Sequence, residues 1–242
     1  MNDSAASPVF CAVDTGDLAA ARALAGRLKG LVGGLKLGME FFYANGPEGY
    51  RTIAAEGLPI FLDLKLHDIP NTVAGAVRSL TPLSPAFMTL HASGGRAMMA
   101  AAAAESREAA AKHGVGRPRL LGVTVLTSLD GDDLRATGQD PDVSAQVDRL
   151  AELAQESGLD GVVCSPKEIE RLRRRCDPGF VLMVPGIRPA WAAAQDQKRV
   201  LTPARAVALG ADHLVIGRPI TEAADPAAAA RRIADELSLP HS

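Results

Sequence analysis

A closed (β/α)₈ barrel is the fold this sequence predicts, on three observations: eight short apolar runs, amphipathic segments between them, and glycines where those segments should stop. The runs are Val9 to Asp14, Leu31 to Gly38, Pro59 to Lys65, Phe87 to His91, Leu120 to Leu126, Gly161 to Ser165, Phe180 to Pro185 and His213 to Gly217. Between them, sets such as Leu18, Ala21, Ala25 and Leu28, or Val143, Val147, Leu150 and Ala154, put apolar residues on one helical face. Gly30, Gly57, Gly114, Gly158 and Gly210 follow helical stretches, where a left-handed cap favours a residue without Cβ. Parallel strands need crossover helices and two buried faces, so the alternation admits a doubly wound sheet or a barrel. The count of eight favours the barrel. No linker or repeat interrupts the pattern, and Ala97 to Ala111 reads as a good helix, so residues 1–242 are expected to form a single domain.

The bulk properties exclude several classes. Of the 242 residues, 47% are hydrophobic and 22% charged, the balance of a globular protein. The net charge of −2 gives no basic face for nucleic acid, and Arg171, Arg173, Arg174 and Arg175 read as the solvated side of a helix. Cys11, Cys164 and Cys176 lack metal-ligand spacing and suit a reducing compartment. No leader pattern opens the chain and no apolar stretch is long enough to span a bilayer, so a cytoplasmic protein without a membrane partner is expected.

The chemistry concentrates at the ends of the predicted strands. In the third, a period of two sends Leu62, Leu64 and Leu66 toward the helices and aims Asp63 and Lys65 inward together. Lys36 lies between the outward Leu35 and Leu37 of the second strand, and Asp14 closes the first. Buried ion pairs seldom repay their desolvation, so such a convergence of charge points to function rather than to stability. After the seventh and eighth strands come Pro185-Gly186-Ile187-Arg188-Pro189 and Ile216-Gly217-Arg218-Pro219. Loops at those two places commonly hold phosphate in this fold, using backbone N–H groups and a forked cation.

The string DLKLHDIPNT, Asp63 to Thr72, closely resembles the signature of the orotidine 5′-monophosphate decarboxylases. The likeness continues in VDT at 13 to 15, GLKLG at 34 to 38, HASGG at 91 to 95, VTVLTS at 123 to 128, PGIRP at 185 to 189, DQKR at 196 to 199 and IGRP at 216 to 219. This resemblance implies a cofactor-free and metal-free decarboxylase acting on a nucleotide as a homodimer with shared active sites. It implies that Lys36, Asp63, Lys65 and Asp68 form an alternating charged array, with Asp68 and Thr72 reaching the other subunit's site. Asp14 and Lys36 would hold ribose hydroxyls, and Arg188, Arg218 and the Gly217 backbone the phosphate. Gln197 would bridge phosphate and base from a closing loop. Thr127 would lie near the pyrimidine, with Thr124 and Ser128 as alternatives, while His67 and His91 would be scaffold. One departure is Trp191-Ala192-Ala193-Ala194, at the lid, where the family more often has a polar, glycine-containing segment.

Two rivals share parts of this pattern. A sugar-phosphate decarboxylase or synthase that works through Mg²⁺ would carry the D-x-K-x-x-D strand, but the HDIPNT continuation and DQKR argue against it. A non-catalytic nucleotide-binding barrel would keep the phosphate loops while leaving two lysines and three aspartates without a task.

Overall fold

The computed structural model describes residues 7–192 and 201–238. Eight strands alternate with helices: β1 (Val9–Val13), α1 (Leu18–Leu28), β2 (Gly34–Gly38), α2 (Met39–Ala54), β3 (Ile60–Leu66), α3 (Pro70–Leu80), β4 (Phe87–His91), α4 (Gly95–His113) and β5 (Arg119–Val123) open the series. It continues with α5 (Gly131–Ala136), α6 (Val143–Glu156), β6 (Gly161–Val163), α7 (Ile169–Arg175), β7 (Val181–Pro185), α8 (Pro203–Ala208), β8 (His213–Ile216), α9 (Arg218–Thr221) and α10 (Pro226–Ser238). The parallel strands close in the order β1 to β8, the expected (β/α)₈ barrel. Among the described residues, no helix is long and apolar enough to cross a membrane.

The chain groups into two compact units, one from Met1–Asp63 with Gly186–Ser242 and one from Leu64–Pro185. In the first, β1 pairs with β2 in the register Ala12 to Lys36 and with β8 in the register Phe10 to Val215, and Gly38 of β2 lies opposite Asp63 of β3. Its core holds Leu28, Leu35, Leu37, Phe41, Ile53 and Ile216, all fully buried, and Phe10 packs edge-on against Phe61. Gly34 permits that packing, because a Cβ there would come within 2.3 Å of the Phe10 ring and 2.5 Å of the Pro59 carbonyl oxygen. In the second unit β4, β5, β6 and β7 pair in sequence over a core of Leu90, Met98, Met99, Leu121, Val162 and Leu182. Each such side chain, fully removed from water, contributes roughly 1.5–3 kcal/mol.

Local chemistry sets the element ends. Asp17 caps α1 by accepting from the Ala19 and Ala20 N–H groups, and Asp130 and Asp133 form a reciprocal capping box on α5. All five glycines expected to stop helices have positive φ; Gly114, at φ 63°, returns its N–H to the last turn of α4. The alanine-rich stretch lies within α4, as expected. Several strands are shorter than the apolar runs. Leu31 and Val32 turn rather than extend, since the Leu31 N–H returns to Leu28 O, and β5 stops at Val123 where its partner β6 ends at Val163. The arginines of α7 are less simply solvated than expected: Arg171 and Arg175 converge on buried Asp148, and Arg174 pairs with Glu170. The three cysteines are free and buried.

Candidate active site

In the first unit, β2 delivers Lys36 between two carboxylates. Leu35 and Leu37 are fully buried on one face, so alternation sends Lys36 to the other. Its Nζ donates to Asp14 Oδ1 at 3.1 Å and lies 3.8 Å from Asp63 Oδ2. The Lys36 and Asp63 side chains are only 13% and 11% exposed, whereas Asp14 is 64% exposed. The Asp14 contact is therefore screened and contributes about 0–1 kcal/mol to stability, leaving Asp14 available to another partner. Lys36 and Asp63 are both largely out of water, so their attraction is less screened than the contact with Asp14. A Cβ on Gly38 would lie 3.3 Å from the Lys36 ammonium, so the small residue keeps that approach clear. Cys11 sits beneath this group; burial above all, aided by the Asp14 charge and opposed by Lys36, pushes its thiol up to about 12, which keeps it protonated and non-nucleophilic.

The glycine-arginine turns of the same unit bound a cavity of about 300 Å³, lined by Arg188, Trp191, Ala192, Arg218, Pro219, Glu222 and Ala223. Arg188 and Arg218 thus meet in one cavity, and among the described residues neither is in an ion pair. Gly217 lies next to Asp14: a Cβ on it would be 4.0 Å from Asp14 Oδ2. Trp191 packs its ring under the Arg232 guanidinium, 4.7 Å from the ring centroid. Gln197, with Ala193 and Ala194, lies outside the described residues.

In the second unit, β3 continues to Lys65, where the simple alternation fails. Lys65 has φ 52°, in the left-handed region, a conformation costing a non-glycine residue about 1–3 kcal/mol unless its surroundings hold it. Its direction cannot be taken from a period of two. The Lys65 N–H donates to Thr89 Oγ1 at 2.9 Å. Asp68 is exposed and accepts from the Ile69 N–H at 2.6 Å, and Thr72, also exposed, lies in the first turn of α3 behind Pro70. Ile69 between them is 66% exposed. Among the three candidates after β5, Thr124 is buried and its hydroxyl donates to Val163 O at 3.1 Å, whereas Thr127 and Ser128 are exposed in the following turn. The rings of His67 and His91 pack 5.1 Å apart.

Sequence reasoning overlooked Thr89, Glu222 and Arg232. Thr89 shows no signal in a single sequence beyond being a polar residue in an apolar strand, and the other two follow only from helix packing.

A closed parallel barrel with charged side chains on its second and third strands and arginines in the loops after β7 and β8 is the plan of a (β/α)₈-barrel enzyme. The sequence model of the Orotidine 5'-phosphate decarboxylase / HUMPS family matches residues 7–233. The chain belongs to that family. It is 57% identical to the orotidine 5'-phosphate decarboxylase of Paramagnetospirillum magneticum over 233 residues, 96% of this chain and 99% of the relative. The crystal structure of orotidine 5'-phosphate decarboxylase from Lactobacillus acidophilus superposes with a TM-score of 0.81 at 37% identity, covering 96% of this chain and 100% of that one. An uncharacterized conserved protein from Geobacillus kaustophilus gives a TM-score of 0.83 at 36% identity, with coverage of 96% and 100%.

Proposed function

We propose that this chain converts orotidylate to UMP and CO₂, the closing step of de novo UMP synthesis, with Lys65 as the proton donor. The observation that carries the reading is Lys36 of β2 held between Asp14, just past the end of β1, and Asp63 of β3, with a second lysine two residues beyond Asp63 on the same strand. Breaking the bond from C6 to the carboxylate leaves its electron pair on C6, in the ring plane, where no neighbouring carbonyl delocalises it. An ammonium fixed beside C6 stabilises that charge as it appears and then delivers a proton, giving UMP; the lysine recovers its proton from water. Asp63 stands near the departing carboxylate, so repulsion present in the bound substrate is relieved as CO₂ leaves. Lys36 and Asp14 hold the ribose hydroxyls, and Thr127 approaches the base.

Arg188, Arg218 and the Gly217 backbone bind the phosphate, with Gln197 bridging phosphate and base. The phosphate does not react, yet its binding organises the charged groups, so remote contacts lower the barrier. Asp68 and Thr72 serve the site of a second copy in a homodimer. Their exposure beside exposed Ile69 supports this, since residues that complete a partner's site must lie on the surface of the isolated chain. The test is to add orotidylate and follow its ultraviolet absorbance with and without a metal chelator. Loss of the orotate chromophore with CO₂ release, unchanged by chelator, is the expected result; tight nucleotide binding without turnover would refute it.

A further inference from the structure

We infer that Thr89 is a positioning residue for Lys65: its buried hydroxyl holds the Lys65 backbone in the left-handed conformation that aims the ammonium. This rests on the reading of Lys65 as proton donor. Among the described residues only Lys65 and Ser84 combine a side chain with positive φ. Ser84 sits at the end of a short turn over Thr81–Leu83, an ordinary place for such a conformation. Lys65 instead sits inside β3, one residue before its end, where an extended backbone is the default. Something must hold it out of that default. Thr89, on β4 opposite Leu121 of β5, is 1% exposed, and its Oγ1 accepts the Lys65 N–H at 2.9 Å. A hydroxyl on a short, β-branched side chain locked in a packed strand is a fixed acceptor with little rotamer freedom. It therefore fixes the peptide plane that enters Lys65, and together with φ at 52° this sets the Cα–Cβ direction from which the long lysine chain starts.

The consequence is kinetic. A lysine that must meet one ring carbon tolerates little error, since a displacement of about 1 Å in a reacting group can cost roughly 100-fold in rate. Phosphate and ribose binding do not pass through Thr89, so its loss should act on kcat and leave nucleotide affinity alone.

The test compares Thr89→Ser with Thr89→Ala, which both lose the γ-methyl and differ only in the hydroxyl, so that any repacking defect is shared. Thr89→Ser should keep kcat within about threefold of the parent, and Thr89→Ala should lower it at least about tenfold, with UMP affinity within about threefold in both. Hydrogen exchange at the Lys65 amide should be faster in Thr89→Ala than in Thr89→Ser. Equal kcat for the Ser and Ala variants, alongside an inactive Lys65→Ala, would overturn the role of Thr89 alone. An active Lys65→Ala would overturn the proton-donor reading on which it stands.

Discussion

Replacing Arg218 by alanine tests the phosphate reading most directly. Arg218 and Arg188 line one cavity of about 300 Å³, together with Glu222. Two unit charges in contact at about 4 Å interact by roughly 4 kcal/mol at an effective dielectric constant near 20. Arg218 is exposed, so water and salt screen part of that. The expected loss in kcat/KM for orotidylate is therefore about 2–4 kcal/mol, or roughly 30- to 700-fold at 1.4 kcal/mol per decade. The assay measures kcat/KM for orotidylate and for the unphosphorylated nucleoside, at low and high salt. The variant should lose little toward the nucleoside and show a flatter salt dependence toward the nucleotide. Glu222→Gln, which removes a like charge from the same cavity, should move KM the other way, lowering it by about two- to fivefold. An equal loss for nucleotide and nucleoside in Arg218→Ala would place the guanidinium outside the phosphate site and refute the reasoning.

Other expectations follow from the same geometry. Lys65→Ala should abolish turnover while UMP still binds within roughly tenfold, because phosphate and ribose contacts persist; activity within tenfold of the parent contradicts its role. Mixing inactive Lys65→Ala with inactive Asp68→Ala under subunit exchange should restore about a quarter of wild-type activity, since half the dimers are mixed and half their sites intact. A mixture that stays dead despite proven heterodimers would exclude shared sites. Asp148→Ala should lower stability by about 1–2 kcal/mol, or roughly 2–8 °C in Tm, because it removes the 4% exposed carboxylate on which Arg171 and Arg175 converge but leaves both guanidiniums about half exposed; an unchanged Tm by calorimetry would show that these arginines find equivalent partners.

What a single sequence reveals here tracks how local each cause is. The inward aim of Lys36 was legible because Leu35 and Leu37 fix a period of two, and nothing nearby breaks it. The same rule failed two residues past Asp63, because the φ of Lys65 is sustained by Thr89, 24 residues away along the chain. Strand ends were overread where apolar residues serve a turn, as at Leu31 and Val32, or where the neighbouring strand stops first, as at Val123. In α2 the helical run hides a break at Gly46, φ 59° before Pro47; both residue types are visible in sequence, but neither says whether the chain bends or ends there. Thr124 could be separated from Thr127 and Ser128 only once its hydroxyl was seen to meet Val163 O, a contact between strands.

Trp191 has a use beyond packing. It is the sole tryptophan of the chain, and its indole lies against Arg232 while lining the arginine cavity. Indole fluorescence therefore originates at one place, against Arg232 and in the cavity that Arg188 and Arg218 line, where an anion binding to those arginines would alter it. Stopped-flow mixing with UMP or inorganic phosphate can time that arrival in the unmodified enzyme, and Arg232→Ala would report how much of the emission is set by the cation on the ring.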